Sequence, residues 1–133
     1  MDVDLGLGRG ERAVDFVLPL GYNPTRFYAR AGGGPAVLVF CGVEEVGRVR
    51  QLREELESIP FFVVVPGEVG EESGEGFSVF TDGENKVKRA YRLAAETSVL
   101  FALDANLRAL EGVALEEARA EEVGAVLCAA VPE

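Results

Sequence analysis

At 133 residues with 48% apolar content, the chain has the length of one domain and enough apolar matter for a core without disulfides or metal. Its 23 acidic residues against 13 basic ones give a net charge of -10, a field that repels phosphate backbones and sets nucleic-acid binding aside. It contains no histidine, which removes nucleophile–histidine–acid triads and the iron site built from two histidines and a carboxylate.

Two cysteines are present, Cys41 and Cys128. They form no C-x-x-C pair and cannot build a zinc site alone, so no metal and no cofactor are expected. This usage fits a reducing cytoplasm. Met1-Asp2-Val3-Asp4 has neither the basic region nor the apolar core of a signal peptide, and no apolar run approaches membrane-spanning length.

In chain order, residues 12–20 read as a short edge strand, with Phe16 and Leu18 alternating against Asp15 and Val17 until Pro19 stops the pairing. Gly21-Tyr22-Asn23-Pro24 is turn chemistry, and residues 26–29 read as a second strand. Ala31-Gly32-Gly33-Gly34-Pro35 is a connector; it precedes a strand and lacks Lys-Ser/Thr, so it is no phosphate loop. Residues 36–41 form a continuous apolar run, as in a strand buried on both faces. A helix is predicted over residues 45–58, with Val46, Val49, Leu52 and Leu56 on one stripe and Glu44 and Glu45 at its positive end. Phe61 to Val65 is a second buried run, residues 68–76 a Gly- and Glu-rich loop, and residues 77–80 a short strand. A helix over residues 84–93 should place Val87, Ala90 and Tyr91 on one face. Residues 98–103 and 107–111 read as a hairpin, Asn106 being best suited to positive φ and Gly112 ending the second strand. A last helix over residues 115–130 carries Leu115, Ala118, Val123, Val126 and Leu127. The order predicts one α/β domain over residues 1–133, a central mixed sheet flanked by helices.

Four motifs in this order carry a family likeness: Ala13-Val14-Asp15-Phe16-Val17-Leu18-Pro19, the core run 36–40, Thr81-Asp82-Gly83-Glu84 leading to Lys88-Arg89-Ala90-Tyr91, and residues 100–108. Together they resemble the peroxiredoxin-like (AhpC/TSA) branch of the thioredoxin fold over residues 10–131. The segment Asn23-Pro24-Thr25-Arg26-Phe27, with Phe40-Cys41-Gly42 and Gly47-Arg48, is also similar to bacterial redoxin-like domains that precede a 2-oxoglutarate/iron oxygenase domain and lack the peroxidatic cysteine. That likeness implies an oxygenase partner, whose iron ligands would lie on another chain or module.

Peroxiredoxin chemistry needs a thiolate at a helix N-terminus, a nearby threonine hydroxyl and an arginine on a facing strand. Here residues 43–48 contain no cysteine, and Glu96-Thr97-Ser98 stands where the resemblance calls for the arginine. Cys41 is the candidate thiol, activated by Arg48 in one reading and a small buried hydrophobe in the other. The adjacent acids Glu44 and Glu45 would raise its pKa, and they read as a solvated helix start rather than paired catalytic carboxylates. Cys128 reads as packing on the last helix.

The expectation is a non-catalytic domain that binds a protein, a ligand or itself through Gly42, Val43, Glu44, Glu45, Arg48 and Thr97. The alternative is an atypical thiol peroxidase or oxidoreductase using Cys41.

Overall fold

A computed structural model describes residues 10–13, 15–20, 23–28, 34–56, 59–67, 77–83, 85–93 and 97–130. Seven strands form one mixed sheet: β1 (Val17–Leu20), β2 (Asn23–Arg26), β3 (Ala36–Phe40), β4 (Phe61–Val65), β5 (Phe77–Thr81), β6 (Val99–Leu103) and β7 (Ala109–Ala114). Their order across the sheet is β2-β1-β5-β4-β3-β6-β7. Helices α1 (Val46–Glu55), α2 (Lys86–Ala90) and α3 (Ala120–Ala130) accompany them. The apolar runs at β3 and β4 pair in parallel at the sheet centre, and β5 continues the parallel set. β6 and β7 run antiparallel on one side and β1 and β2 on the other.

Both sheet faces are covered, so the central strands are apolar at every position rather than alternating. Val37, Val39, Val63, Phe77, Leu100 and neighbouring residues pack under α1 and α3, through Val49, Leu52, Val123 and Leu127. Leu38, Phe40, Phe62, Phe80 and Phe101 pack on the other face, under Phe16 and Phe27 of the N-terminal segment and Tyr91 and Leu93 beside α2. The aromatics interlock: Phe16 stacks on Phe27 at 4.9 Å, and Phe16 meets Phe80 and Phe27 meets Phe62 edge-on at 5.3 Å. Such contacts add to the area the rings bury.

Several boundaries differ from the sequence reading, each for a local reason. β1 is an inner strand and β2 the edge, with Asn23 and Pro24 inside β2 rather than in a turn. α1 is preceded by a single 3-10 turn, Val43–Glu45. α2 is half the expected length because Arg92 adopts φ 63°. The Arg92 N–H then reaches Arg89 O at 2.8 Å and the Leu93 N–H reaches Lys88 O at 3.1 Å, a Schellman-type end that turns Leu93 into the core and leaves Ala90 exposed. In the β6–β7 hairpin the positive φ falls on Leu107, at 64°, not on Asn106. Asp104 Oδ1 accepts the Asn106 and Arg108 N–H groups and closes the turn one residue later. Gly112 does not end β7; it pairs with Phe101, and the strand runs on to Ala114. The last helix starts late because residues 115–117 form a separate 3-10 turn and Ala118 is extended. The predicted turn at Gly21-Tyr22, the connector at residues 31–33 and the loop at residues 68–76 lie outside the described residues.

Candidate functional site

The parallel strands β3, β4 and β5 end on one side of the sheet, the edge where open α/β sheets gather ligands. Cys41-Gly42, Pro66-Gly67 and Thr81-Asp82 stand at these ends, with Thr97-Ser98 entering β6 from the same side. Cys41 continues β3, its N–H reaching Val64 O at 3.2 Å, and its side chain is 1% exposed in the cluster beneath α1.

Burial pushes the Cys41 thiol up to about 12 from its ordinary 9.0, and the Glu45 and Glu44 carboxylates add to the rise against a smaller opposing pull from Lys88. The cation acting on this sulfur is therefore Lys88, itself 5% exposed, and not Arg48. A thiol so placed is protonated at neutral pH and lacks the charge a nucleophile needs.

Of the two acids after Gly42, Glu44 is exposed as at a solvated helix start, whereas Glu45 is engaged by the protein. Glu45 Oε1 accepts the Gly42 N–H at 3.0 Å and the Ser98 hydroxyl at 2.6 Å. The Glu44 carboxylate folds over the other side of Gly42, and a Cβ there would lie 2.6 Å from Glu44 Oε1. Glu44 is exposed and can swing away, so Glu45 is the carboxylate that holds Gly42. Sequence carried a partial signal: an acid three residues past a cap position can reach back to the cap N–H. Nothing local announced Ser98, which arrives from 53 residues away.

Val43 is 37% exposed beside Gly67, and Glu44 is exposed, while Thr97 is half-buried. Arg48 leaves this group. Its Nη2 donates to the carbonyls of Leu115, Glu116 and Ala118 at 3.2–3.4 Å and ties α1 to the turn before α3. The Leu115 carbonyl also accepts the Ala118 N–H at 3.1 Å, which closes the 3-10 turn ahead of α3. On the next strand end, the buried Asp82 carboxylate accepts the N–H groups of Lys86, Val87 and Lys88 at 2.9–3.2 Å and anchors α2.

Among the described residues no three His, Cys, Asp or Glu side chains gather as a metal site, and no helix is long and apolar enough to cross a membrane. A cavity of about 30 Å³, room for roughly one water, lies elsewhere, between β6, β7 and the start of α3. Cys128 lies in α3; its side chain is outside the described residues.

No protein-family model and no curated protein matches the chain. Solved structures do. Peroxidoxin BcpB from Mycobacterium tuberculosis matches at TM-score 0.73 and 19% identity, over 95% of this chain and 99% of its own. A putative thiol:disulfide interchange protein DsbE from Chlorobium tepidum matches at TM-score 0.71 and 19% identity, over 93% and 98%. Mycobacterium tuberculosis AhpC matches at TM-score 0.65 and 17% identity, over 92% of each. The chain has the thioredoxin-like fold that these structures share.

Proposed function

We propose that this thioredoxin-fold domain is a non-catalytic binding module whose docking face is the surface of Gly42, Val43, Glu44 and Thr97, where redox-active members of the fold carry their chemistry. The observation that carries the reading is the Glu45 carboxylate. It takes up the Gly42 N–H and the Ser98 hydroxyl at the head of the α1 segment, donors that would otherwise serve a thiolate or a peroxide oxygen. The partner is a protein, an oxygenase or a second copy of the chain among the candidates.

A peroxidase using Cys41 is disfavoured physically. Its thiol is buried, two carboxylates oppose its ionisation, and Arg48 is engaged with backbone carbonyls. The test is the rate at which the native protein's thiols react with hydrogen peroxide, with Cys41→Ser and Cys128→Ser as controls. The expected rate is no faster than that of a free thiol. A fast reaction lost only in Cys41→Ser would restore the enzyme reading. For the docking face, Val43→Asp should abolish capture of a partner that the unaltered chain retains.

A further inference from the structure

The chain is acidic as a whole, with 23 acidic and 13 basic residues, yet two arginines stand opposite each other across one pair of backbone segments. Arg12 and Arg108 face each other in an isolated antiparallel bridge. The flanking hydrogen bonds run from Ala13 N–H to Leu107 O at 2.7 Å and from Ala109 N–H to Glu11 O at 2.8 Å. The arginines are therefore a non-hydrogen-bonded pair, the arrangement in which cross-strand side chains stand closest. Like charges directly opposite each other destabilise a strand pair, and both side chains are exposed.

Other arginines nearby are neutralised. Arg92 binds both oxygens of Glu11 at 2.8 and 2.9 Å, and Arg26 binds Asp15 at 2.8 Å. Among the described residues neither Arg12 nor Arg108 makes an ion pair. Both are held in place all the same. Arg12 lies 5.0 Å over the Tyr28 ring, and Arg108 Nη1 donates to Gly10 O at 3.0 Å, which leaves the remaining guanidinium donors of the pair available. The residue before Arg108, Leu107, holds φ 64°, a conformation that costs a leucine free energy. Strain and like-charge repulsion are thus both present at the same corner.

We propose that the Arg12–Arg108 pair docks an acidic segment of a partner protein, with carboxylates bridging the two guanidinium groups. Two planar forks accept carboxylates in paired hydrogen bonds, and an anion between them removes the repulsion. The surface is open rather than enclosed, which fits a peptide segment. The net charge of -10 opposes a long polyanion such as nucleic acid, whereas a short acidic segment makes its contacts within a Debye length, about 8–10 Å. This site is separate from the Gly42 face and stands without it.

The test is an NMR titration of the full chain with a glycine-spaced tetraglutamate peptide at low salt, read at the arginine side-chain N–H signals. Saturable shifts at Arg12 and Arg108 are expected. Arg12→Gln with Arg108→Gln should weaken binding about tenfold or more, the scale of one lost charge-assisted hydrogen bond, while the exposed Arg119→Gln should leave it unchanged. The double variant should unfold at an equal or higher temperature, which separates lost recognition from lost folding. Absence of a saturable shift, or equal affinity in the double variant, would overturn the proposal. So would inorganic phosphate or a short DNA duplex moving the same signals at lower concentration than the peptide.

Discussion

The Cys41 thiol ionises near pH 12 in the folded chain, against an ordinary value of 9.0. Between these values the unfolded chain releases this proton while the folded chain keeps it. Stability is thus fully present below about pH 9 and falls as pH rises, by up to about 1.4 kcal/mol per pH unit. Urea unfolding of the wild type and Cys41→Ala from pH 8 to 10.5 should show a steeper alkaline loss in the wild type; parallel curves would contradict the assignment. Glu45 is the other decisive residue. Glu45→Ala leaves the Gly42 N–H and the half-buried Ser98 hydroxyl without their shared acceptor, a loss of about 1–3 kcal/mol measurable by chemical denaturation.

Among the elements, the N-terminal hairpin depends on one carboxylate. Burial pushes the Asp15 pKa up, but the Tyr28 amide, the Arg26 guanidinium and the Phe16 amide outweigh it and hold the group below 3.8. A depressed carboxylate contributes stability above its unfolded pKa and loses it as pH falls through the folded value. Asp15→Asn should therefore be less stable at neutral pH, and the gap to wild type should close below about pH 4. The tie between α1 and the turn before α3 rests on Arg48. Its three bonds are long and partly exposed, so Arg48→Ala should cost only about 1 kcal/mol. Hydrogen exchange should quicken at residues 118–123 while β3 and β4 stay protected.

At the scale of the whole molecule, stability lies in two apolar layers on either side of the sheet. Phe101 is fully buried in the aromatic layer, against Phe40 and Tyr91. Phe101→Ala should cost about 3–5 kcal/mol by equilibrium unfolding, comparable to the whole stability of many domains. The docking reading belongs to this scale as well, because the strand ends, Gly42 and Ser98 share one surface only through the order of the strands.

Apolar patterning with the Gly and Pro residues that bound it pointed to the central sheet, the α1 stripe and the order of elements, because short β-branched and aromatic runs such as Ala36–Phe40 and Phe61–Val65 suit a doubly covered strand. The motifs around Asp82, Tyr91 and Asp104 further indicated the thioredoxin fold. The shortening of α2 at Arg92 and the shift of positive φ to Leu107 were not legible, since both follow from bonds that appear only once Leu93 and Leu107 enter the core. Cys41 could be named from sequence as the one thiol near the strand end. Its burial, the hold of Glu45 on Gly42 and Ser98, the engagement of Arg48 by residues 115–118 and the placing of Arg12 opposite Arg108 were decided by tertiary structure alone. Each joins segments distant in sequence or depends on how tightly the chain closes around an atom, and neither quantity is carried by local composition.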